Sequence, residues 1–149
     1  MNIAKALKTK NRFAGEISKL QEIFRRENSK RSDNTSSVDA QKVYSDLLLQ
    51  LDRITRLKGS ISRASAPIAE KLVRLSELKG IINWLQGVPY KEGEEKASYG
   101  TKEVYTYEWK AFLNREKLDE QVDLFQVEIN QLQDEIDDFN AKTQIDFTE

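Results

Sequence analysis

Apolar side chains recur every three or four residues through most of the chain, the spacing of one helical face. Over about 2–27 that face is Ile3, Leu7, Phe13/Ala14, Ile17, Leu20 and Phe24. Asn2 is placed to cap the first turn, and Lys5, Lys8, Arg12, Lys19 and Arg26 lie mostly off the face. Residues 28–37, NSKRSDNTSS, carry no apolar side chain and predict a weakly ordered polar linker where the chain reverses. A second face runs from about 38 to 64 through Val43/Tyr44, Leu47, Leu51, Ile54, Leu57 and Ile61. Ser36 three residues before Asp39 makes a weak capping box, and Gly59 is a soft point. Ser65-Ala66-Pro67 breaks the pattern, with Pro67 suited to a helix start. A third face reaches Gln86 through Ile68, Leu72, Leu75, Ile82 and Leu85, widened by Leu78, Ile81 and Trp84. Gly87 and Pro89 then stop it. One long kinked helix over the second and third segments is the alternative.

Residues 88–108 read differently. Four of the five tyrosines fall here, Val104-Tyr105-Thr106-Tyr107 is strand-like, and Gly93 and Gly100 supply turns. The expectation is an aromatic excursion with a short β-hairpin, which needs the helices or another chain to steady it. The strongest periodicity follows. Leu118, Val122, Phe125, Ile129, Leu132, Ile136 and Phe139 are spaced 4-3-4-3-4-3, a heptad seam in a helix from about 110 to 141. Trp109 and Phe112 are candidates to extend it, and Ile145 and Phe147 to close the bundle end. The predicted fold is therefore all-α: an elongated antiparallel bundle of four main helices, with a short β-hairpin excursion before the last helix. It is read as a single helical domain over 1–149.

Composition narrows the chemistry. Only 38% of residues are hydrophobic and 33% are charged, against roughly 25% charged in an average chain. Long helices with narrow apolar stripes suit that mix. Cysteine and histidine are both absent. That excludes disulfides, thiolate or imidazole metal sites, and Ser-His-Asp or Cys-His catalysis. No phosphate-binding glycine loop occurs. The net charge of −1 does not suggest nucleic-acid binding. Its distribution is uneven: residues 1–31 hold nine basic and three acidic side chains, and residues 110–149 hold four and eleven. The two ends suit each other, within or between chains. No apolar run approaches the ~20 residues of a membrane span, and the opening MNIAKALKTKN has no apolar core of a secretory signal. A cytoplasmic protein is expected.

Paired carboxylates are plentiful but read as solvated. Glu92, Glu94 and Glu95 flank Gly93, and Asp134, Glu135, Asp137 and Asp138 point between seam positions. One basic cluster is a candidate site. Arg53, Arg56, Lys58 and Arg63, with Ser60, Ser62 and Ser65 before Pro67, are suited to hold an anion, the arginines as its ligands and Tyr105 and Trp109 as stacking partners. Trp84, Tyr90, Tyr105 and Trp109 are the candidate interface residues.

The segment order resembles a small bacterial helical family of unknown function, labelled septicolysin-like. The likeness is carried by LKTKNRFAGEISKLQEIF, LLLQLDRITRLKGSISRAS, EKLVRLSELKGIINWL, EVYTYEW and LDEQVDLFQVEINQLQDEIDDFNAKTQIDF. Family members typically carry asparagines near Ser62 and Ser65 and a tryptophan near Ile145, and this chain departs at all three. The expected function is that of a non-catalytic helical protein, bacterial or phage, acting by self-association and binding. No cofactor and no metal are expected; the expected partner is a second copy, as a homo-oligomer and by the width of the third apolar stripe a dimer, and neither nucleic acid nor membrane is expected. The alternative is an oligomer that sequesters a small anionic, nucleotide-like ligand. A toxin-like, membrane-active protein is implied by the family label alone, and the charges Glu70, Lys71, Arg74, Glu77 and Lys79 in the third segment argue against it.

Overall fold

The computed structural model describes residues 1–100 and 102–148. Its elements are α1 (Ile3–Glu27), α2 (Ala40–Ser65), a 3-10 turn (Ala66–Ile68), α3 (Ala69–Gln86), β1 (Gly93–Ala97), β2 (Tyr105–Trp109) and α4 (Arg115–Lys142). The chain is mainly helical, with an antiparallel hairpin before the last helix. The expectation of four separate helices changes in one place. α2, the 3-10 turn and α3 follow one another without a coil residue, so the helical segments form three continuous runs. Pro67 is the cause. It sits at the start of the 3-10 turn, where its missing N–H and fixed φ are tolerated, and tightens the helix instead of ending it.

Local chemistry sets the other boundaries. The Asn2 side chain accepts from the Lys5 amide at 2.9 Å, as its position predicted. Asp39, rather than Ser36, caps α2 by accepting from the Gln41 and Lys42 amides at 3.0 and 3.3 Å. Ser36 is used elsewhere: its hydroxyl donates to Glu27 at 2.9 Å. Lys30 reaches the same carboxylate at 3.5 Å and the Val38 carbonyl at 3.2 Å. The polar linker is thereby stapled to the end of α1. Gly87 ends α3 through a bond from its amide to the Trp84 carbonyl, without a left-handed turn; positive φ is confined to Gly93 and Gly100 among the described residues. Asn114 caps α4, accepting from the Lys117 amide at 3.0 Å. That cap starts the seam at Leu118, and Phe112, 92% exposed, does not extend it.

The chain divides into two compact units, residues 1–69 with 136–148, and residues 70–135. In the first, α1 and α2 lie antiparallel, Phe24 stacking on Tyr44 with ring centroids 5.2 Å apart. Its core joins Ile3, Ala6, Phe13, Ile54, Leu57 and Ile145, with Phe139 and Phe147 packed against it. Backbone bonds tie the two ends of the chain: Ile3 donates to Thr143 at 3.0 Å, and Ile145 donates to Met1 at 2.8 Å. Ile145 and Phe147 thus close the core as their position implied. Leu51, assigned to the inner face by spacing, is exposed, and Gln50 lies on that side instead.

In the second unit α3 and α4 run antiparallel. Arg74 grips Glu128 with two bonds, 2.8 and 3.0 Å, and Lys71 pairs with Glu135. Leu85 and Leu118 line one cleft at the other end. Leu75, Leu78, Leu85, Leu118 and Ile129 are buried, while Phe125 and Leu132 are half-buried. The acidic last helix thus finds cationic partners on α3. No helix of the described residues is long and apolar enough to cross a membrane.

Candidate functional site

The most distinctive surface is one face of the hairpin. The register pairs Gly93 with Trp109, Glu95 with Tyr107 and Ala97 with Tyr105. Because side chains alternate along a strand, Tyr105, Tyr107 and Trp109 share one face with Glu95, and Glu94, Lys96, Thr106 and Glu108 share the other. The aromatic face is internally organised. Trp109 Nε1 donates to Glu95 at 2.7 Å, Lys91 pairs with the same carboxylate, and the Lys91 ammonium sits 4.8 Å from the Trp109 ring centre. Lys91 and the indole N–H hold the Glu95 carboxyl below the usual range. A hydrogen bond with Tyr99 holds the Tyr107 phenol above its ordinary value. Tyr99 also packs on Tyr105 at 6.3 Å, and the Tyr105 hydroxyl donates to Glu103 at 2.9 Å.

The sequence placed Tyr105 here but offered Trp109 as an extension of the α4 seam, whereas it ends β2, and it read Glu95 as part of a solvated acidic loop. Its role follows from the strand register, which sets Glu95 across from Tyr107. No local signal marked it, because a four-residue spacing such as Lys91 to Glu95 brings side chains together on a helix and residues 91–95 are not helical.

Trp84, Tyr90, Tyr105 and Trp109, the candidate interface residues, are all in the second unit and are 45–63% exposed. Tyr90 also borders a cleft of about 200 Å³ with Arg115 and Asp119.

The candidate anion-site arginines lie on α2 in the first unit. Arg56 pairs with Asp52 at 2.8 Å, and Arg63 donates to the Ser60 hydroxyl at 3.2 Å. Arg53 borders a cleft of about 420 Å³ that also contains Glu16 and Asp46. Arg63 and Ser60 border a different one, of about 360 Å³, with Asp146. The three arginines therefore serve separate surroundings, each with a carboxylate at hand. Among the described residues no three carboxylates gather as a metal-binding group.

No protein-family model matches the chain, and neither a characterised protein nor a solved structure is detectably similar to it.

Proposed function

We propose that the chain is a non-catalytic helical protein that acts in the cytoplasm by self-association and binding. The observation that carries this reading is the set of large aromatics left open to water: Trp84, Tyr90, Tyr105 and Trp109. Such side chains hold much apolar area, and they are enriched where one protein meets another. The hairpin strengthens the case. A two-stranded ribbon with both faces wet is marginal alone, and a second molecule over its aromatic face would steady it. Light scattering over a wide concentration range tests the reading. The expected mass is a multiple of 17.3 kDa, reduced by Trp84→Ala with helix content retained. A single-chain mass at every concentration overturns it.

The alternative, sequestration of a small anionic ligand, is supported by Arg63 and Ser60 bordering one cleft. Asp146 in the same cleft opposes an anion and ranks this reading second. Thermal shift against nucleotides tests it, saturable stabilisation being the supporting result.

A further inference from the structure

α2 carries two apolar seams; the first unit covers one of them and leaves the other half open, with Phe24 of α1 stacked on its Tyr44 end. The inward seam, Val43, Leu47, Ile54, Leu57 and Ile61, is buried or half-buried. The second, Tyr44, Leu48, Leu51 and Thr55, is spaced 4-3-4 and lies about 100° further round the helix. Its three large side chains are 47–51% exposed. No seam position is charged. A helix that is apolar on two sides wants cover on both. We propose that this outward seam docks a second copy of the chain, α2 against α2, antiparallel about Leu48. The proposal rests on the self-association argued above and adds a contact surface in the first unit to the aromatic one in the second.

Charge selects the occupant and its direction. Residues 13–27 and 40–54, the half of the α1–α2 pair nearest the linker, carry five basic and five acidic side chains. The other half, residues 3–12 and 55–65, carries seven basic and no acidic ones. Asp137, Asp138 and Asp146 of the closing segment offset part of that charge, and through the α1–α2 pair two copies meet with least repulsion at the balanced half. An antiparallel pairing about Leu48 sends the two basic ends in opposite directions, whereas a parallel one would lay them side by side. Flanking charges are satisfied at home: Lys42 pairs with Asp46 at 2.9 Å, and Arg56 pairs with Asp52. A charged partner would find little to read along this strip, while a copy of the same leucine seam is self-complementary. The two-fold arrangement sets Leu48 on Leu48 and Tyr44 of one copy beside Leu51 of the other.

The area sets the strength. The seam is ~17 Å long at 1.5 Å per residue. Phe24 of α1 stacks on Tyr44 and, with Gln21, Arg25 and Leu47 of the inward seam, borders a cleft of about 430 Å³, so the face continues onto α1 and there takes in one cationic side chain. A strip ~17 Å by ~20 Å is about 350 Å² per copy in flat projection, ~700 Å² in all, which is less than the ~1,200 Å² of a stable specific interface and fits a weak, transient contact. The contact should therefore loosen on dilution.

The cysteine-free chain allows a direct test. Leu48→Cys should cross-link under mild oxidation into a disulfide dimer, and Lys58→Cys, on the basic half, should not. Leu48→Asp should lower the mass seen by light scattering at high concentration, with the helical circular dichroism of wild type, because the position is already half open to water. Leu48→Met should keep the wild-type mass. Unchanged mass in Leu48→Asp, or equal cross-linking at positions 48 and 58, overturns the docking surface. If that mass still falls with Trp84→Ala, self-association through the aromatics survives. A wild-type protein of single-chain mass at every concentration overturns both.

Discussion

Leu57 and Leu51 sit on the same helix, six residues apart, and sequence spacing places both on its buried face. The fold separates them: Leu57 is 0% exposed and Leu51 is 51% exposed. Leu57→Ala removes three carbons from the core made with Ile3, Ala6, Phe13 and Ile54. At about 0.8 kcal/mol per buried carbon, the transfer contribution is about 2.4 kcal/mol. A cavity adds to this, because neighbours held by α1 and by the Ile145 closure relax only in part, so the total should fall at about 3–5 kcal/mol. Leu51→Ala leaves no cavity and should cost under about 1 kcal/mol. Urea unfolding followed by circular dichroism, at protein concentrations low enough for single chains, makes the comparison. With a slope near ~2 kcal/mol/M, Leu57→Ala should lower the midpoint by about 1.5–2.5 M. The slope itself should not change. Equal midpoint shifts for the two variants would refute the packing argument, as would a Leu57→Ala cost under about 1 kcal/mol.

Three further outcomes are expected. Ile129→Ala, at a buried seam position, should cost roughly 2–5 kcal/mol, while Asp134→Ala off the seam stays within about 0.5 kcal/mol of wild type; chemical denaturation compares them. Ser36, Arg26 and Lys30 hold the Glu27 carboxyl below its ordinary pKa. Its contribution to stability is thus complete above the ordinary carboxylate range and is lost as pH falls through the lowered value. Glu27→Gln should remove that part of the acid-side slope in melting temperature against pH. Asn114→Ala should cost about 0.5–2 kcal/mol and fray the first turn of α4, which amide hydrogen exchange at residues 115–118 reads directly.

Much of the architecture is local and was legible before folding. Heptad spacing marks α4, the apolar-free stretch 28–37 marks the linker, and Asn2 marks a cap, because each depends on residues within one or two turns of chain. The β-branched and aromatic run 104–107 likewise marks a strand. The aromatic candidates were legible by residue type, since bulky side chains in a polar excursion have few neighbours to bury them. What could not be read locally depends on which face meets which neighbour. Spacing cannot tell Leu51 from Gln50 as the inward residue, because a broad stripe of leucines fits several helix rotations. Ser36 looked like a cap and became a partner of Glu27, a choice made when the linker folds back on α1. Glu95 gained its tie to Trp109 from strand register, which is set across a turn and not along it. Periodicity is a property of the backbone helix and survives in the sequence. Which apolar side chain is finally covered is a property of contacts between distant segments, and it exists only after the chain has closed on itself.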